Sequence, residues 1–398
     1  MPMLLRRCFI ALFFGVFLSS SALASTNYSD LYPNDPVQEA VDYLTEEGIV
    51  EGYSDGTFRP MALINRAEFT KMIVEGVLGE TPSAAEYAAC FVDVGEEWFA
   101  KYVCRAKELE WVEGYGDGRF APGDNITRAE AMKILAEALE WELLDEDERS
   151  VFLDNQDNGQ WYWDDLLRFE ERELVDTLDS YISPHELITR KQMSLLLHRA
   201  LTYEEGERPE VFEFELDPSA GYEEVLDLGL VAAIPSNVDF VHHSQRGWPY
   251  GCYSFATKTL VQYKYGEVLD IAEVQDRIAW DGTFIWSSGE RSRFAAEYGY
   301  DLLFSYNNSA EFFFKKLALG EPLVLYIPYY SNGVNIGHQL VAYSFDADGV
   351  WVADSLQGGL QRHIPYSEVF LNGANFTTNL TEYRKVKSGG EQKMQSYL

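Results

Sequence analysis

Apolar residues recur along the first half of the chain with a helical period. Val37, Ala40, Val41 and Leu44 fall at i, i+3, i+4 and i+7, and Phe99, Tyr102, Val103 and Ala106 repeat the spacing. Each stripe predicts a helix with one buried face. A loop rich in Gly and Asp follows at 52–60 and again at 114–122, which suits turns that need positive φ. A second helix is predicted to start at a recurring pentad: Ile64-Asn65-Arg66-Ala67-Glu68, Ile126-Thr127-Arg128-Ala129-Glu130 and Ile188-Thr189-Arg190-Lys191-Gln192. Met132, Leu135, Ala136 and Leu139 give the second copy its buried stripe. The arginines stand at 66, 128 and 190, a step of 62 residues both times (128 − 66 and 190 − 128). Such a period marks helix–loop–helix units that stack because none buries its apolar face alone.

Much of the pentad is explained by capping. Thr127 with Glu130 forms a capping box, and Asn65 with Glu68 and Thr189 with Gln192 are variants of it. Arginine is the part capping leaves over, because a cation in the first helical turn opposes the helix dipole. Arg66, Arg128 and Arg190 therefore imply an anion, either an internal carboxylate or a ligand.

The loop Gly52-Tyr53-Ser54-Asp55-Gly56-Thr57-Phe58-Arg59-Pro60, its counterpart at 114–122 and the Thr-Arg-Ala-Glu helix start resemble the S-layer homology (SLH) domain. The resemblance covers roughly residues 28–202, as repeats at 28–80, 90–141 and 151–202. It implies an all-α three-repeat domain that holds an exported protein to the cell wall or S-layer surface. The partner it implies is an anionic secondary wall polysaccharide, bound through Arg66, Arg128 and Arg190. The third copy is degenerate: Asp176 and Ser180 stand where the loop glycines would be, and Lys191-Gln192 replaces Ala-Glu.

The rest of the chain fits an exported protein. Arg6 and Arg7, the apolar run 9–18 and Ala22-Leu23-Ala24 read as a signal peptide over 1–24, with a retained anchor as the alternative. No later segment is apolar enough to span a membrane. A net charge of −34, from 65 acidic and 31 basic residues, argues against nucleic acid and fits solubility at a crowded surface. The acidic run 140–148 lacks the spacing of a calcium loop, and no metal or cofactor is expected. Cys90 and Cys104 are expected to form a disulfide; a two-ligand metal site is the weaker reading because no His lies nearby. Cys252 is then an odd thiol.

Residues 203–235 read as an acidic linker, and 236–384 as a second domain rich in aromatic residues, with a tail at 385–398. Ala256, Leu260 and Tyr263 follow Cys252 at helical spacing, which puts the thiol at a helix N-terminus, where its pKa falls and the thiolate becomes available. Leu323 to Ile327 reads as a buried strand. A hairpin follows, His338 to Phe345 and Val350 to Asp354, about a turn at Asp346-Ala347-Asp348-Gly349. A four-residue turn pairs Phe345 with Val350 and sets Asp354 opposite Val341, so a His338–Asp354 contact requires a bulge, a strong twist or another turn. His242 and His243 are rival bases expected to be solvated, and His363 is expected to be structural. Trp248, Tyr250, Trp286 and Tyr329 are left without a site role. The alternative for Cys252 is a buried, inert side chain.

The order Gln245, Cys252, His338, Asp354, with Cys opening a helix and His and Asp on late adjacent strands, resembles papain-like cysteine peptidases. The nearest type within them is the bacteriocin-processing, double-glycine leader peptidases. By that resemblance the second domain is α+β and acts on a peptide or amide. Cys252 is the nucleophile, His338 the general base and acid, Asp354 the orienting carboxylate, and Gln245 an oxyanion donor. That type often carries Cys-Gly-Pro at the nucleophile, where this chain has Cys252-Tyr253-Ser254. Two other expectations remain: a non-catalytic surface-binding protein, and an acyltransferase acting on wall peptides.

Overall fold

A computed structural model describes residues 28–32, 35–79, 81–83, 89–144, 150–175, 181–204, 252–270, 300–305, 310–327, 330–331, 334–335, 337–356, 360–370 and 380–385. The expected signal peptide, most of the linker, the tail, His242, His243, Gln245, Trp248, Tyr250, Trp286 and Tyr329 lie outside these residues.

In the first half the helices are α1 (Gln38–Glu46), α2 (Arg66–Leu78), α3 (Ala100–Glu108), α4 (Arg128–Ala138), α5 (Trp163–Glu170) and α6 (Arg190–Leu201), two per repeat. The second helix of each pair starts at the recurring arginine. Asn65, Thr127 and Thr189 are the N-caps, and in each case a reciprocal capping box closes with Glu68, Glu130 or Gln192. One apolar core runs through all three units, from Val37 and Leu44 through Val103 and Leu135 to Phe169 and Leu197.

The three units close into a ring. The Ile64 amide donates to the Ile188 carbonyl, Ile188 to Ile126, and Ile126 back to Ile64, at 3.2, 3.1 and 3.0 Å. The orphan amides at each helix start are satisfied by the next unit's loop. Arg66 and Ala67 donate to Asp124 and Pro122, Arg128 and Ala129 to Glu186 and Pro184, and Arg190 and Lys191 to Ala62 and Pro60. Three β-bridges, Leu63 with Thr189, Asn65 with Asn125 and Thr127 with Leu187, accompany these bonds. The all-helical expectation for this region is therefore incomplete, since short extended segments make the seams between units.

A second recurring device holds the loops. Both carboxylate oxygens of Asp30 accept from the Phe58 and Arg59 amides, those of Asp93 from Phe120 and Ala121, and those of Asp154 from Ile182 and Ser183. The second amide of each pair belongs to a non-glycine residue with positive φ: Arg59 at 58°, Ala121 at 56° and Ser183 at 55°. A left-handed conformation at such residues is costly, and two charge-assisted bonds offset it. The third unit keeps this clamp despite its missing loop glycines. Burial pushes the Asp93 carboxyl up, but the Phe120 and Ala121 amides outweigh it and hold its pKa below the usual carboxylate value. Its contribution is thus complete above the unfolded value, near pH 3.9, and is lost as pH falls through the lower folded value. Asp93→Ala is expected to cost about 1–3 kcal/mol in urea denaturation at pH 7 and less at pH 3. An equal loss at both pH values would rule this out. Cys90 and Cys104 form a disulfide within the second unit.

The second half is built on a six-stranded sheet ordered β1-β8-β2-β5-β6-β7, with a separate pair β3 (Tyr330–Ser331) and β4 (Val334–Asn335). The strands are β1 (Tyr300–Ser305), β2 (Leu323–Ile327), β5 (His338–Phe345), β6 (Gly349–Asp354), β7 (Leu360–Pro365) and β8 (Leu380–Lys385). Every paired neighbour is antiparallel. The described helices here are α7 (Cys252–Tyr265), α8 (Ala310–Ala318) and α9 (Tyr366–Val369). Alternation along β2 shows why both sheet faces are covered. Leu323, Leu325 and Ile327 pack with Phe313, Phe314 and Leu317 of α8, while Val324 between them packs with Ala256, Leu260 and Val261 of α7. The protein is thus multidomain, with a repeat ring and a sheet-containing region.

Candidate functional site

Cys252 is the first residue of α7 and is half-buried. The first amides of a helix have no intrahelical acceptor, so the Cys252 N–H and the positive end of the helix both face the region of the thiol. His338 is the first residue of β5 and follows Gly337, whose φ is +64°. A Cβ on Gly337 would lie 1.9 Å from the Tyr326 hydroxyl oxygen, so both the conformation and the space call for glycine there.

Asp354 reaches the histidine through an irregularity in the hairpin. Phe345 pairs with Val350 as counting predicts, but the register shifts between Ala342 and Ser344, so Val341 faces Ala353 rather than Asp354. One extra residue on β5 moves Asp354 a step along, to the level of Leu340. Alternation then puts it on the same side as His338, two positions away. His338 Nε2 and Asp354 Oδ1 are 2.7 Å apart, and both side chains are buried. Asp354 Oδ1 also accepts from the Leu356 amide at 2.9 Å, and Oδ2 from Arg362 NH1 at 2.6 Å. Sequence reasoning missed Arg362. It lies on β7 with Val352 as its partner on β6, and only the folded sheet brings it to the carboxylate.

The imidazole is hydrogen-bonded to the Cys252 thiol as well as to Asp354. Burial works to lower the His338 pKa, but these two bonds and the two negative charges outweigh it and hold the group above the ordinary histidine value. Burial likewise raises Asp354, while the bonds from His338 and Arg362 prevail and keep it below the usual range. With Nε2 committed to Asp354, Nδ1 is the nitrogen left for the sulfur. A buried carboxylate, an imidazole favoured in its charged form and a thiol on a helix N-terminus favour transfer of the thiol proton to the ring. His363 pairs with Asp346 at 2.9 Å, away from this group. Among the described residues no cluster of three or more His, Cys, Asp or Glu gathers as a metal site requires.

The three arginines are not equivalent. Arg66 is 5% exposed; its Nε donates to the Phe120 carbonyl at 2.9 Å and its NH1 to Glu130 Oε1 at 2.9 Å. Arg190 is equally buried and donates to the Phe58 and Glu51 carbonyls at 2.8 and 3.0 Å. Both clamp one unit to the next, which accounts for a cation in the first helical turn. By the 62-residue step the matching acceptor for Arg128 is the Ile182 carbonyl, yet the buried Nε of Arg128 has no hydrogen-bond partner. Its NH2 instead faces Glu186 at 3.9 Å and Glu321 at 3.8 Å, the latter from the sheet-containing region.

The S-layer homology domain family matches residues 27–70 and 91–132. The chain is 30% identical over 124 residues to the cellulosome-anchoring protein of Acetivibrio thermocellus, covering 31% of this chain and 28% of that protein. It is 34% identical over 108 residues to the surface layer protein of Brevibacillus choshinensis, covering 27% of this chain and 10% of that one. The chain thus spans less than a third of the length of these relatives. Among solved structures, the peptidase domain of Streptococcus ComA, a bi-functional ABC transporter, is similar at 11% identity and a TM-score of 0.28, over 34% of this chain and 93% of that one. A likeness of that size carries no inference. Residues 27–70 and 91–132 therefore carry S-layer homology repeats, and the protein is a secreted protein of the cell wall or S-layer surface. The third unit lies beyond the matched residues but fills the third place in the ring.

Proposed function

We propose that the protein is a wall-anchored thiol hydrolase that cleaves a peptide or amide bond. The observation that carries this reading is His338, hydrogen-bonded at once to a buried carboxylate and to a thiol on a helix N-terminus. The Cys252 thiolate attacks the carbonyl carbon, forming the S–C bond and placing negative charge on the oxygen. The Cys252 amide and, on this reading, the Gln245 side-chain amide stabilise that oxyanion. The His338 imidazolium gives its proton to the leaving nitrogen as the C–N bond breaks, which leaves a thioester. His338 then takes a proton from water; the new C–O bond replaces S–C, and the thiol is restored. Asp354 holds the ring in register throughout, and Arg362 holds Asp354.

The repeats supply location. A secondary cell-wall polysaccharide is the proposed partner, in keeping with the S-layer homology family and the surface proteins to which the chain is similar. No helix among the described residues is long and apolar enough to cross a membrane.

The test is incubation of the secreted protein with wall peptides and with a general peptide library, followed by mass spectrometry. Cleavage that disappears in Cys252→Ala supports the hydrolase. Amine-adduct products in preference to acids would assign an acyltransferase instead. Wild-type inertness, with alkylation of Cys252 no faster than that of a free thiol, would leave only a binding protein.

A further inference from the structure

The sheet-containing region seats on the ring across two of its seams, the one that contains Arg128 and the one that contains Arg190. Leu319, at the end of α8, joins the apolar core of the repeats. Gly320, with φ +76°, turns the chain there; a Cβ on it would lie 3.5 Å from Met61 and 3.6 Å from both Lys191 and Thr189. Glu321 follows, bonded to Lys316 at 2.5 Å and facing Arg128 at 3.8 Å. Beside it, Glu186 of the ring accepts from Lys264 of α7 at 2.8 Å, the Leu187 amide donates to the Lys264 carbonyl, and the Tyr263 hydroxyl donates to Met61. The helix that begins with Cys252 is thus gripped at its far end by the wall-binding region.

Three observations single out the Arg128 seam. Arg66 and Arg190 spend their guanidinium groups on the neighbouring unit, whereas among the described residues the buried Nε of Arg128 has no hydrogen-bond partner and its NH2 makes only long ion pairs to Glu186 and Glu321. The space around it is a cavity of about 50 Å3 lined mainly by apolar side chains, with Arg128, Arg199 and Glu321 as its charged members. A carboxylate fits such a space and a sugar ring does not. One wall of it, the Leu319-Gly320-Glu321 corner, comes from the other region.

We infer that Glu321 is an intramolecular carboxylate ligand of the Arg128 groove, so that a carboxylate-bearing wall glycan can enter this groove only when the sheet-containing region lifts off. This rests on the proposed wall binding. Glu321 and the glycan carboxylate compete for one guanidinium. By reciprocity, wall engagement at this seam loosens the grip on α7, and seating of the region weakens wall engagement.

The test uses the full chain, purified wall sacculi as the probe, and the variants Glu321→Gln, Arg128→Gln and their combination. Glu321→Gln is expected to raise sacculus affinity about fivefold or more, and Arg128→Gln is expected to abolish that gain, costing more affinity in the Glu321→Gln background than in the wild type. Unchanged or lower affinity in Glu321→Gln, or an equal loss from Arg128→Gln in both backgrounds, would overturn the inference. Hydrogen exchange separates this result from failure of wall binding itself. Without sacculi, Glu321→Gln must increase exchange over 252–265 and 310–321, and in the wild type saturating sacculi must do the same. If no variant binds sacculi, the wall reading falls. If exchange is unmoved in Glu321→Gln, the carboxylate latch falls whatever the sacculi show.

Discussion

His338→Ala is expected to move the pH profile of Cys252 alkylation to that of an ordinary thiol. On the proposed reading, an imidazole held above its ordinary pKa beside Asp354 and Cys252 takes the thiol proton in the wild type. Iodoacetamide labelling should therefore persist at pH 6. In His338→Ala the rate should fall tenfold per unit below about pH 8.5, where an unperturbed thiol titrates. Turnover should drop about 100- to 10,000-fold, the usual worth of a positioned general acid–base. Superimposable wild-type and variant profiles would sink the thiolate–imidazolium pair. The buried position of His338 also predicts a stability term. Its raised folded pKa makes that contribution full below about pH 6.5, and it is lost as pH rises through the folded value. Alkylation and stability should accordingly be measured on the same samples.

Arg66→Ala is expected to destabilise the ring by about 3–5 kcal/mol, the range for breaking a buried ion pair from one side. The change would strand Glu130, which also closes the α4 capping box and accepts from the Tyr115 hydroxyl, and would leave the Phe120 carbonyl without its donor. It would also remove a guanidinium lying 4.8 Å from the centre of the Phe120 ring. Arg66→Lys should recover less than half of the loss, because a point charge cannot serve the carbonyl and the carboxylate together. Urea denaturation followed by far-ultraviolet circular dichroism measures both; a midpoint unchanged in Arg66→Ala would refute the clamp. The consequence for function is practical. Loss of wall retention in Arg66→Ala would report a weakened ring, so Arg128, which makes only long ion pairs, is the arginine through which to examine anion binding.

The helix starts were legible because capping is local: Asn65, Thr127 and Thr189 carry their partners three residues on. The disulfide was legible because Cys90 and Cys104 stand close together within one repeat of an exported chain. Cys252, His338 and Asp354 could be singled out by order, but their meeting could not be counted. A regular turn set Asp354 opposite Val341, and the register shift that corrects this sits at Ala342–Ser344, where no glycine marks it. The aspartate clamps escaped for a different reason. Asp30, Asp93 and Asp154 are spaced by 63 and 61 residues (93 − 30 and 154 − 93), so a comparison at a strict step of 62 passes them by. The roles of Arg362 and Glu321 depend on strand neighbours and on a contact between regions far apart in the chain, for which sequence pattern holds no signal.

The cycle of bonds among Ile64, Ile126 and Ile188 has a consequence for how such an array can change. An open stack of repeats has two ends and can gain or shed a member at either one, with stability shifting by increments. A closed cycle has no end. Deleting any one unit breaks two junctions and leaves the survivors with the wrong angle to meet, and a fourth copy would have nowhere to enter. Loss of the degenerate third unit should therefore disable the two well-matched units with it, which gives selection a reason to keep its helix cap and aspartate clamp after its loop glycines were gone.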